Sequence, residues 1–290
     1  MSKVNIAVFG SNGYLGRHLC HYLNGEGFNC HCFDVNDGSG CDVSSSEWWN
    51  TFEPEKFSVI VFLAGLSGPE RSFQQAETYE AVNVGGLLNL LRKVAPLGED
   101  APKIIFPSSR LVYRGGERVT EESPLEPRSV YAANKVACEG LLSAYYHRYK
   151  IPYVVLRICV PYGNLISKDY SYGTVGFFMR QVMEGRPITV YGTGQCRKTY
   201  THIADLCSIV YHVIMANNVI GIYNVGGHEY SLAEVAEMVA RTRSGKVEFV
   251  PWPEEAARVE MGEISLNASK LADAIGFVEY RRMENYISDF

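Results

Sequence analysis

The chain has 290 residues, 47% of them hydrophobic, 20% charged and 12% aromatic, which is typical of a folded globular protein and excludes a disordered, collagen-like or coiled-coil chain. Its 27 basic and 32 acidic side chains give a formal net charge of −5, so we expect no nucleic-acid partner. No apolar run approaches the ~20 residues of a membrane span and no signal peptide is recognisable, so we expect a cytoplasmic protein with no membrane partner.

A strand, three glycines and a helix follow one another at the N-terminus. Residues 3–9 form an apolar, β-branched run that predicts a buried strand. Gly10, Gly13 and Gly16 come next, and leucines then recur at every fourth position, which is helical spacing. This order predicts a phosphate-binding turn. Gly10 permits the tight turn, Gly13 lets the backbone approach a pyrophosphate, and Gly16 lets the helix pack on the strand.

An acidic residue ends the next predicted strand, which covers residues 28–33. Asp34 lies about 20 residues beyond the last glycine, where an acid binds the ribose hydroxyls of a dinucleotide. Its charge would repel the 2′-phosphate of NADP, and no Arg or Lys follows it closely. The sequence therefore predicts NAD as the cofactor.

Further strands and helices alternate along the first half of the chain. Residues 57–65, 103–107 and 152–158 predict strands, and residues 79–94 and 130–149 predict helices. Such alternation predicts an α/β fold, with a Rossmann-type, doubly wound parallel sheet that binds ligands at the carboxyl ends of its strands.

Tyr131 and Lys135 lie four residues apart in a predicted helix, so they share one helix face. A tyrosine has an ordinary pKa near ~10. A nearby ammonium and the positive nicotinamide ring would favour the phenolate and lower that pKa toward neutrality. Ser109 lies at the end of a predicted strand, and together the three residues predict a proton-transfer set.

On these motifs the chain resembles the extended short-chain dehydrogenase/reductases, specifically the NAD-dependent nucleotide-sugar epimerase/dehydratase group. The glycine motif matches G-x-x-G-x-x-G, and residues 108–113 are similar to the family segment S-[ST]-x-x-V-Y. The resemblance implies that Ser109, Tyr131 and Lys135 are catalytic, with Lys135 also holding the cofactor ribose.

The resemblance also implies a set of cofactor-binding residues. Asp42 matches the acid that contacts adenine, and Asn83 matches a structural asparagine of a helix. The complete set is Gly10, Asn12, Gly13, Tyr14, Leu15, Gly16, Asp34, Asp42, Val43, Leu63, Ala64, Gly65, Asn83, Ser108, Tyr131 and Lys135.

Residues 185–205 resemble the substrate-lobe signature of the family, in which an arginine contacts the diphosphate of a sugar nucleotide. We therefore expect a nucleotide-diphosphate sugar as substrate, with Arg197, and Arg258 as a second candidate, on its diphosphate. The predicted substrate-binding set is Ser109, Arg110, Tyr131, Arg197 and Arg258.

The composition shifts near Gly163. We expect an NAD-binding Rossmann domain over residues 1–163, to which residues 203–228 return, and a smaller C-terminal substrate-binding lobe over residues 164–290. The resemblance implies a homodimer formed by the two predicted helices, whose apolar faces could alternatively only cover the sheet. Histidines and cysteines show no ligand spacing, so no metal is predicted.

Two departures from the family pattern narrow the reaction. Arg110 and Leu111 follow Ser109, where 4,6-dehydratases carry an Asp-Glu pair and UDP-glucuronate decarboxylases a glutamate, and Val160 replaces a substrate-contacting Asn. The residues after Ser109 disfavour a dehydratase and a decarboxylase, and Asp34 with the implied NAD favours an NAD-dependent epimerase, expected to be a 4-epimerase of a hexose nucleotide that works by transient hydride transfer. A nucleotide-sugar 4-ketoreductase or dehydrogenase using NAD(P)H would need the same residues, and a non-catalytic NAD-sensing regulator is the third reading.

Overall fold

The computed structural model describes residues 4–36, 38–166, 172–276 and 278–287. Position 3 of the first predicted strand lies outside these ranges. The strands are β1 (Asn5–Phe9), β2 (Asn29–Phe33), β3 (Val59–Phe62), β4 (Lys103–Ser109), β5 (Gly116–Val119), β6 (Tyr153–Ile158), β7 (Val160–Tyr162), β8 (Ile188–Tyr191), β9 (Arg197–His202), β10 (Gly221–Asn224), β11 (His228–Ser231), β12 (Val247–Val250) and β13 (Ile264–Leu266).

The helices lie between these strands and after the last of them. They are α1 (Tyr14–Gly25), α2 (Arg71–Gln74), α3 (Ala76–Tyr79), α4 (Gly86–Val94), α5 (Val130–Tyr149), α6 (Gly173–Met183), α7 (Ile203–Met215), α8 (Leu232–Arg241), α9 (Glu254–Val259), α10 (Ser269–Ile275) and α11 (Met283–Ile287). No helix among the described residues is both long and apolar enough to cross a bilayer.

Within the described ranges, six strands form a central sheet in the order β2-β1-β3-β4-β6-β10, and every neighbouring pair is parallel. Alternate residues of β1 face opposite sides, so Ile6 and Val8 pack with α1 and α7 while Ala7 and Phe9 pack with α4 and α5. Burial on both faces explains why these strands are continuous apolar runs. The predicted fold class, α/β with a doubly wound parallel sheet, is confirmed.

The predicted helix 79–94 is interrupted. A π-helical segment, Glu80–Gly85, joins α3 to α4. Within it the side chain of Asn83 makes two hydrogen bonds to the backbone of Leu66, accepting from the nitrogen at 2.7 Å and donating to the oxygen at 3.1 Å. A local π bulge is a known way to aim one side chain out of helical register. The predicted helix 130–149 has the predicted bounds.

A smaller layer adjoins the central sheet. The strands β11-β9-β13-β5 form a second sheet, and β7 also pairs with β9, so the chain enters this layer directly after β6. Later, α7 packs on α1 and β10 pairs with β6, which places this segment on the central sheet. The domain boundaries stay a prediction. Ser231 is the N-cap of α8 and forms a capping box with Glu234.

Candidate active site

The glycine-rich turn leaves no room for side chains at its two ends. Gly10 has φ of +79°, and a Cβ there would lie 2.6 Å from the nitrogen of Ala64. A Cβ on Gly16 would lie 2.2 Å from the carbonyl oxygen of Gly10. The N-cap residue of α1, Gly13, supplies no side-chain hydrogen bond to the described first turn. The backbone N–H groups of that turn are therefore available to an anion, and the residues present fit the pyrophosphate of a dinucleotide.

Asp34 lies beside this turn at the end of β2. Its carboxylate accepts hydrogen bonds from the backbone nitrogens of Asn12 and Asn36, each at 3.0 Å. It lines a cavity of about 580 Å³, in which an acid is placed as the ribose of a dinucleotide requires. The predicted cofactor residues in the lining are Gly10, Asn12, Gly13, Asp34, Asp42, Val43, Leu63, Ala64 and Gly65.

A second cavity, of about 260 Å³, surrounds Tyr131. Its lining contains the predicted residues Gly10, Gly13, Tyr14, Leu15, Gly16, Leu63, Gly65, Ser108, Ser109, Tyr131 and Lys135. The two cavities share several lining residues, including Gly10 and Leu66, so they form one cleft across the carboxyl ends of the strands. Cys159 and Tyr172 also line the Tyr131 cavity, although no sequence motif predicted them there.

Among the predicted cofactor residues of the described chain, Asn83 alone lines neither cavity. It is buried, and it acts through the backbone of Leu66, a residue that lines both cavities. Asn83 therefore positions the wall of the cleft.

Ser109 and Tyr131 meet at the end of β4. The Ser109 hydroxyl oxygen accepts a hydrogen bond from the nitrogen of Leu111 at 3.2 Å, so its proton remains available to Tyr131. Ser129 caps α5 two residues before Tyr131, which fixes the tyrosine in the first helical turn. Ser109 at the end of β4 and Tyr131 at the start of α5, which are distant in sequence, are therefore neighbours in the structure.

In the protein alone, the pKa of Tyr131 lies above the ordinary value of a tyrosine. Burial raises it to about 12, while hydrogen bonding from Ser109 and the charge of Arg110 oppose the rise. Removing water disfavours the phenolate more strongly than these groups stabilise it. In the protein alone Tyr131 therefore carries its proton at neutral pH, and the shift toward neutrality, which also needs the positive nicotinamide ring, stays a prediction.

Lys135 lies one helical turn further along α5. Its Nζ donates to the carbonyl oxygen of Pro107 at 2.7 Å and lies 4.3 Å from the centre of the Phe106 ring and 5.8 Å from that of Tyr131. Burial lowers the pKa of Lys135 to about 8, against the opposing influence of Cys138 and Glu139. The ammonium is thus close to its titration range at neutral pH.

A buried ion pair that was not predicted from the sequence supports the catalytic strand. Arg157 and Glu139 are 2.6 Å apart, with side chains 3% and 4% exposed. The Ser108 hydroxyl donates to Glu139, and Arg157 also donates to the hydroxyl of Tyr113. Lys135 and Glu139 lie four residues apart on one helix face, and this spacing could have indicated that Glu139 lies near the site. Its partner Arg157 comes from β6, so the ion pair itself has no signal in the local sequence.

The structure does not bring Arg197 or Arg258 to the described walls of the cleft. Arg197 donates to Glu234 at 3.0 Å on the outside of the smaller layer. Arg258 is 71% exposed and pairs with Glu254 of its own helix. Neither position supports the predicted contact with a diphosphate.

Lys198, the neighbour of Arg197, projects to the opposite face of β9 because side chains alternate along a strand. Its side chain is 13% exposed, and its pKa is lowered by burial and by the charge of Arg110. Arg110, the remaining predicted substrate residue, follows Ser109 directly. Like Arg197 and Arg258, neither Arg110 nor Lys198 lines the Tyr131 cavity, but the charges of both act on Cys159, which does.

The family is established by comparison with known proteins. The chain belongs to the NAD dependent epimerase/dehydratase family, whose model matches residues 6–226. The family expected from the motifs is thereby confirmed, and it is a family of NAD-dependent enzymes. The glycine turn and Asp34 provide the fit to the cofactor that this class requires.

Three relatives illustrate the range of the family. The chain is 27% identical to dTDP-D-glucose 4,6-dehydratase of Dictyostelium discoideum over 271 residues, which cover 81% of this chain and 61% of that protein. It is 28% identical to UDP-glucuronate 4-epimerase of Thermodesulfobacterium geofontis, over 76% of this chain and 68% of that one. The solved UDP-glucose 4-epimerase of Thermus thermophilus in complex with NAD has a TM-score of 0.84 and 25% identity, over 98% and 97% of the two chains. By the first of these matches, the chain spans about three fifths of the length of the Dictyostelium protein.

Proposed function

We propose that the chain is an NAD-dependent 4-epimerase of a nucleotide-diphosphate sugar that works by transient hydride transfer. The observation that carries this proposal is the lining of the Tyr131 cavity. Among the described residues it contains Ser109, Tyr131 and Lys135 but no aspartate or glutamate. The cavity can therefore exchange a proton with one sugar hydroxyl and offers no carboxylate for a second position.

Dehydration at C5 and C6 of a hexose needs a base for one carbon and an acid for the leaving hydroxyl. Arg110 and Leu111 occupy the two positions after Ser109 and can supply neither. Glu139, the carboxylate nearest in sequence to Lys135, is buried in its pair with Arg157 and accepts from Ser108. These features count against a dehydratase reaction.

Each of the three residues has a defined part at the hydroxyl on C4. Tyr131 exchanges the proton of that hydroxyl, and Ser109 hydrogen-bonds the same oxygen and holds it against Tyr131. Lys135 binds the cofactor ribose and adds positive charge beside the tyrosine ring. When bound, NAD supplies the hydride acceptor, and its positive ring favours the phenolate that burial alone disfavours.

Known relatives include UDP-glucuronate 4-epimerase and UDP-glucose 4-epimerase as well as dTDP-D-glucose 4,6-dehydratase, so the choice of the epimerase reaction rests on the lining of the Tyr131 cavity. One-way ketoreduction would use the same residues, and Asp34 favours NAD over NADPH as the cofactor. The homodimer and the cytoplasmic location stay predictions.

Turnover of nucleotide sugars by the purified protein tests the proposal. UDP-glucose and UDP-glucuronate are incubated with the protein, and 4-epimers are separated by chromatography while absorbance at ~340 nm reports the reduced nicotinamide. We expect epimers without net cofactor reduction, and a loss of roughly 10²–10⁴-fold in kcat for Tyr131→Phe. Tyr149→Phe, at the exposed end of the same helix, is the matched control and should retain activity.

Other outcomes assign the protein differently. Stoichiometric consumption of reduced cofactor with a keto-sugar would identify a ketoreductase. Neither reaction, with NAD still bound, would indicate a regulator. Near-normal turnover by Tyr131→Phe would remove Tyr131 from the mechanism.

A further inference from the structure

Three cysteines lie together between the first helix and the edge strand of the central sheet. Cys20 belongs to α1, and Cys30 and Cys32 belong to β2. The register of the sheet pairs Cys30 with Ile6 and Cys32 with Val8, and both of these β1 residues pack toward α1. Residues paired side by side in neighbouring strands point to the same face of a sheet. Both cysteines of β2 therefore face the helix that carries Cys20.

The thiols of Cys20 and Cys32 are in direct contact. The Sγ of Cys32 donates a hydrogen bond to the Sγ of Cys20 at 3.5 Å. A disulfide would shorten this separation by about 1.5 Å. Cys20 is 7% exposed, whereas Cys32 is exposed to solvent. An accessible thiol beside a buried one is the arrangement of a reactive cysteine and its resolving partner.

Two other thiols neighbour Cys20 and are less accessible than Cys32. Cys30 is half-buried, and its hydrogen bond with Cys20 raises the pKa of Cys20 and lowers the pKa of Cys30. Cys30 is therefore placed to accept the proton that Cys20 gives up when it forms a bond. Cys207 of α7 is fully buried, and burial followed by the charge of Cys20 raises its pKa. Its thiol stays protonated and away from solvent.

Metal binding is the other chemistry that clustered thiols provide. The described residues contain no group of three or more His, Cys, Asp or Glu side chains placed to hold a metal ion. The contact between Cys20 and Cys32 therefore indicates a dithiol pair.

We propose that Cys20 and Cys32 form a reversible disulfide by exchange with a low-molecular-weight disulfide such as oxidised glutathione. The Cys32 thiolate attacks one sulfur of the small disulfide, which forms a mixed disulfide and releases one thiol. The Cys20 sulfur then attacks the Cys32 sulfur and expels the second thiol, while the proton of Cys20 passes by way of Cys30 to the leaving sulfur. The protein loses two electrons and two protons, and the small disulfide gains them as two thiols.

The bond would join the two elements on which the cofactor site is built. Helix α1 begins directly after Gly13 of the glycine-rich turn, and β2 ends one residue before Asp34. The Asp34 carboxylate already accepts from the nitrogen of Asn12 in that turn. The three cysteines line neither the Tyr131 cavity nor the Asp34 cavity. Oxidation would therefore fix the turn and the acid relative to each other from a site outside the cleft.

Exchange of the full-length protein with glutathione buffers tests the proposal. The protein is equilibrated at increasing ratios of oxidised to reduced glutathione and alkylated, and intact mass and peptide mapping identify the bonded residues. We expect the wild type to lose the two thiols of Cys20 and Cys32 and to recover both with dithiothreitol. Cys20→Ala should instead hold a mixed disulfide with glutathione on Cys32, because the resolving thiol is missing. Cys32→Ser, which changes an exposed position, should form neither bond at these residues.

Two further variants and a second measurement distinguish this pair from other thiols. Cys30→Ser should still form the bond, and so should Cys196→Ser, the control at another exposed cysteine. Oxidation should also raise the urea concentration at the unfolding midpoint of the wild type, because the bond restricts the unfolded chain. The midpoint of Cys32→Ser should not rise.

The proposal is overturned if the wild type keeps both thiols at every glutathione ratio. It is also overturned if peptide mapping joins Cys20 to Cys30 or to Cys207, or if Cys32→Ser loses two thiols as the wild type does. Loss of the bond in Cys196→Ser would equally contradict the pairing, because Cys196 would then be one of the partners.

Discussion

His202 makes the stability of the protein dependent on acid pH. It ends β9, is 5% exposed, and its Nδ1 accepts from the nitrogen of Ala204 at 3.2 Å, which caps α7. The ring also lies against Gly163, where a Cβ would approach Nε2 to 2.3 Å. Burial, followed by the charges of Arg281 and His18, lowers the pKa of His202 to about 4 from an ordinary value of 6.5.

The direction of the effect follows from proton binding. Between pH 6.5 and about 4 the unfolded chain holds a proton on this ring that the folded protein does not, so the free energy of unfolding falls as pH falls through this window. Above pH 6.5 both states hold a neutral ring, and the effect vanishes. A shift of this size corresponds to about 1 kcal/mol of lost stability at pH ~5.5 and about 3 kcal/mol near pH ~4.

His202→Asn isolates this contribution. Asparagine is a good helix cap but does not titrate, so the variant should keep α7 and lose the acid sensitivity. Between pH ~7.5 and pH ~5.5, urea unfolding should show the wild type losing about 1 kcal/mol more of its free energy of unfolding than the variant loses. His147→Asn, at an exposed position of α5, should behave as the wild type does. Equal losses in the wild type and His202→Asn would refute the reasoning.

Two further substitutions test the cleft and its support. Gly16→Ala places a Cβ 2.2 Å from the backbone of the glycine-rich turn and should weaken NAD binding by on the order of tenfold or more in calorimetry. Gly25→Ala, whose Cβ meets nothing within 4 Å, is the control and should leave the affinity unchanged. Equal affinities of the two variants for NAD would contradict the role of the glycine-rich turn. Arg157→Met leaves Glu139 buried without its cation and should lower the free energy of unfolding by about 3–5 kcal/mol. Arg186→Met, which breaks an exposed pair, should change it by less than ~1 kcal/mol. Similar small losses from both variants would show that the buried pair contributes little to stability.

Local spacing was enough to predict the central sheet and the grouping of Ser109, Tyr131 and Lys135 in one cavity. The glycine turn and the Tyr131–Lys135 pair each depend on neighbours within one or two turns of chain, so sequence alone indicates their geometry. Asp34 was also predictable, because its distance from the glycines is set by one helix and one strand. The π-helical segment at Glu80–Gly85 was not, since the side chain of Asn83 within it bonds the backbone of Leu66, which lies 17 residues away in the wall of the cleft.

The sequence could not predict which face of β9 carries each of its side chains. Residues 197 and 198 are both cationic, and a shift of one residue moves a side chain to the other face of the sheet. The pairing of β9 with β11, β13 and β7 fixes that phase, and those partners come from distant parts of the sequence. Lys198 thereby takes a largely buried position beside Glu260, while Arg197 pairs with Glu234 on the other face.

The same distinction separates the two parts of the proposed activity. Proton exchange requires Ser109, Tyr131 and Lys135, which a strand end and a single helix bring together, and so a short motif suffices to predict it. The wall of the Tyr131 cavity also includes Cys159 and Tyr172, which come from other parts of the sequence and which no motif predicted there. Under the proposed function, the choice of sugar therefore depends on long-range packing, and comparing the turnover of UDP-glucose with that of UDP-glucuronate is the measurement that reports on it.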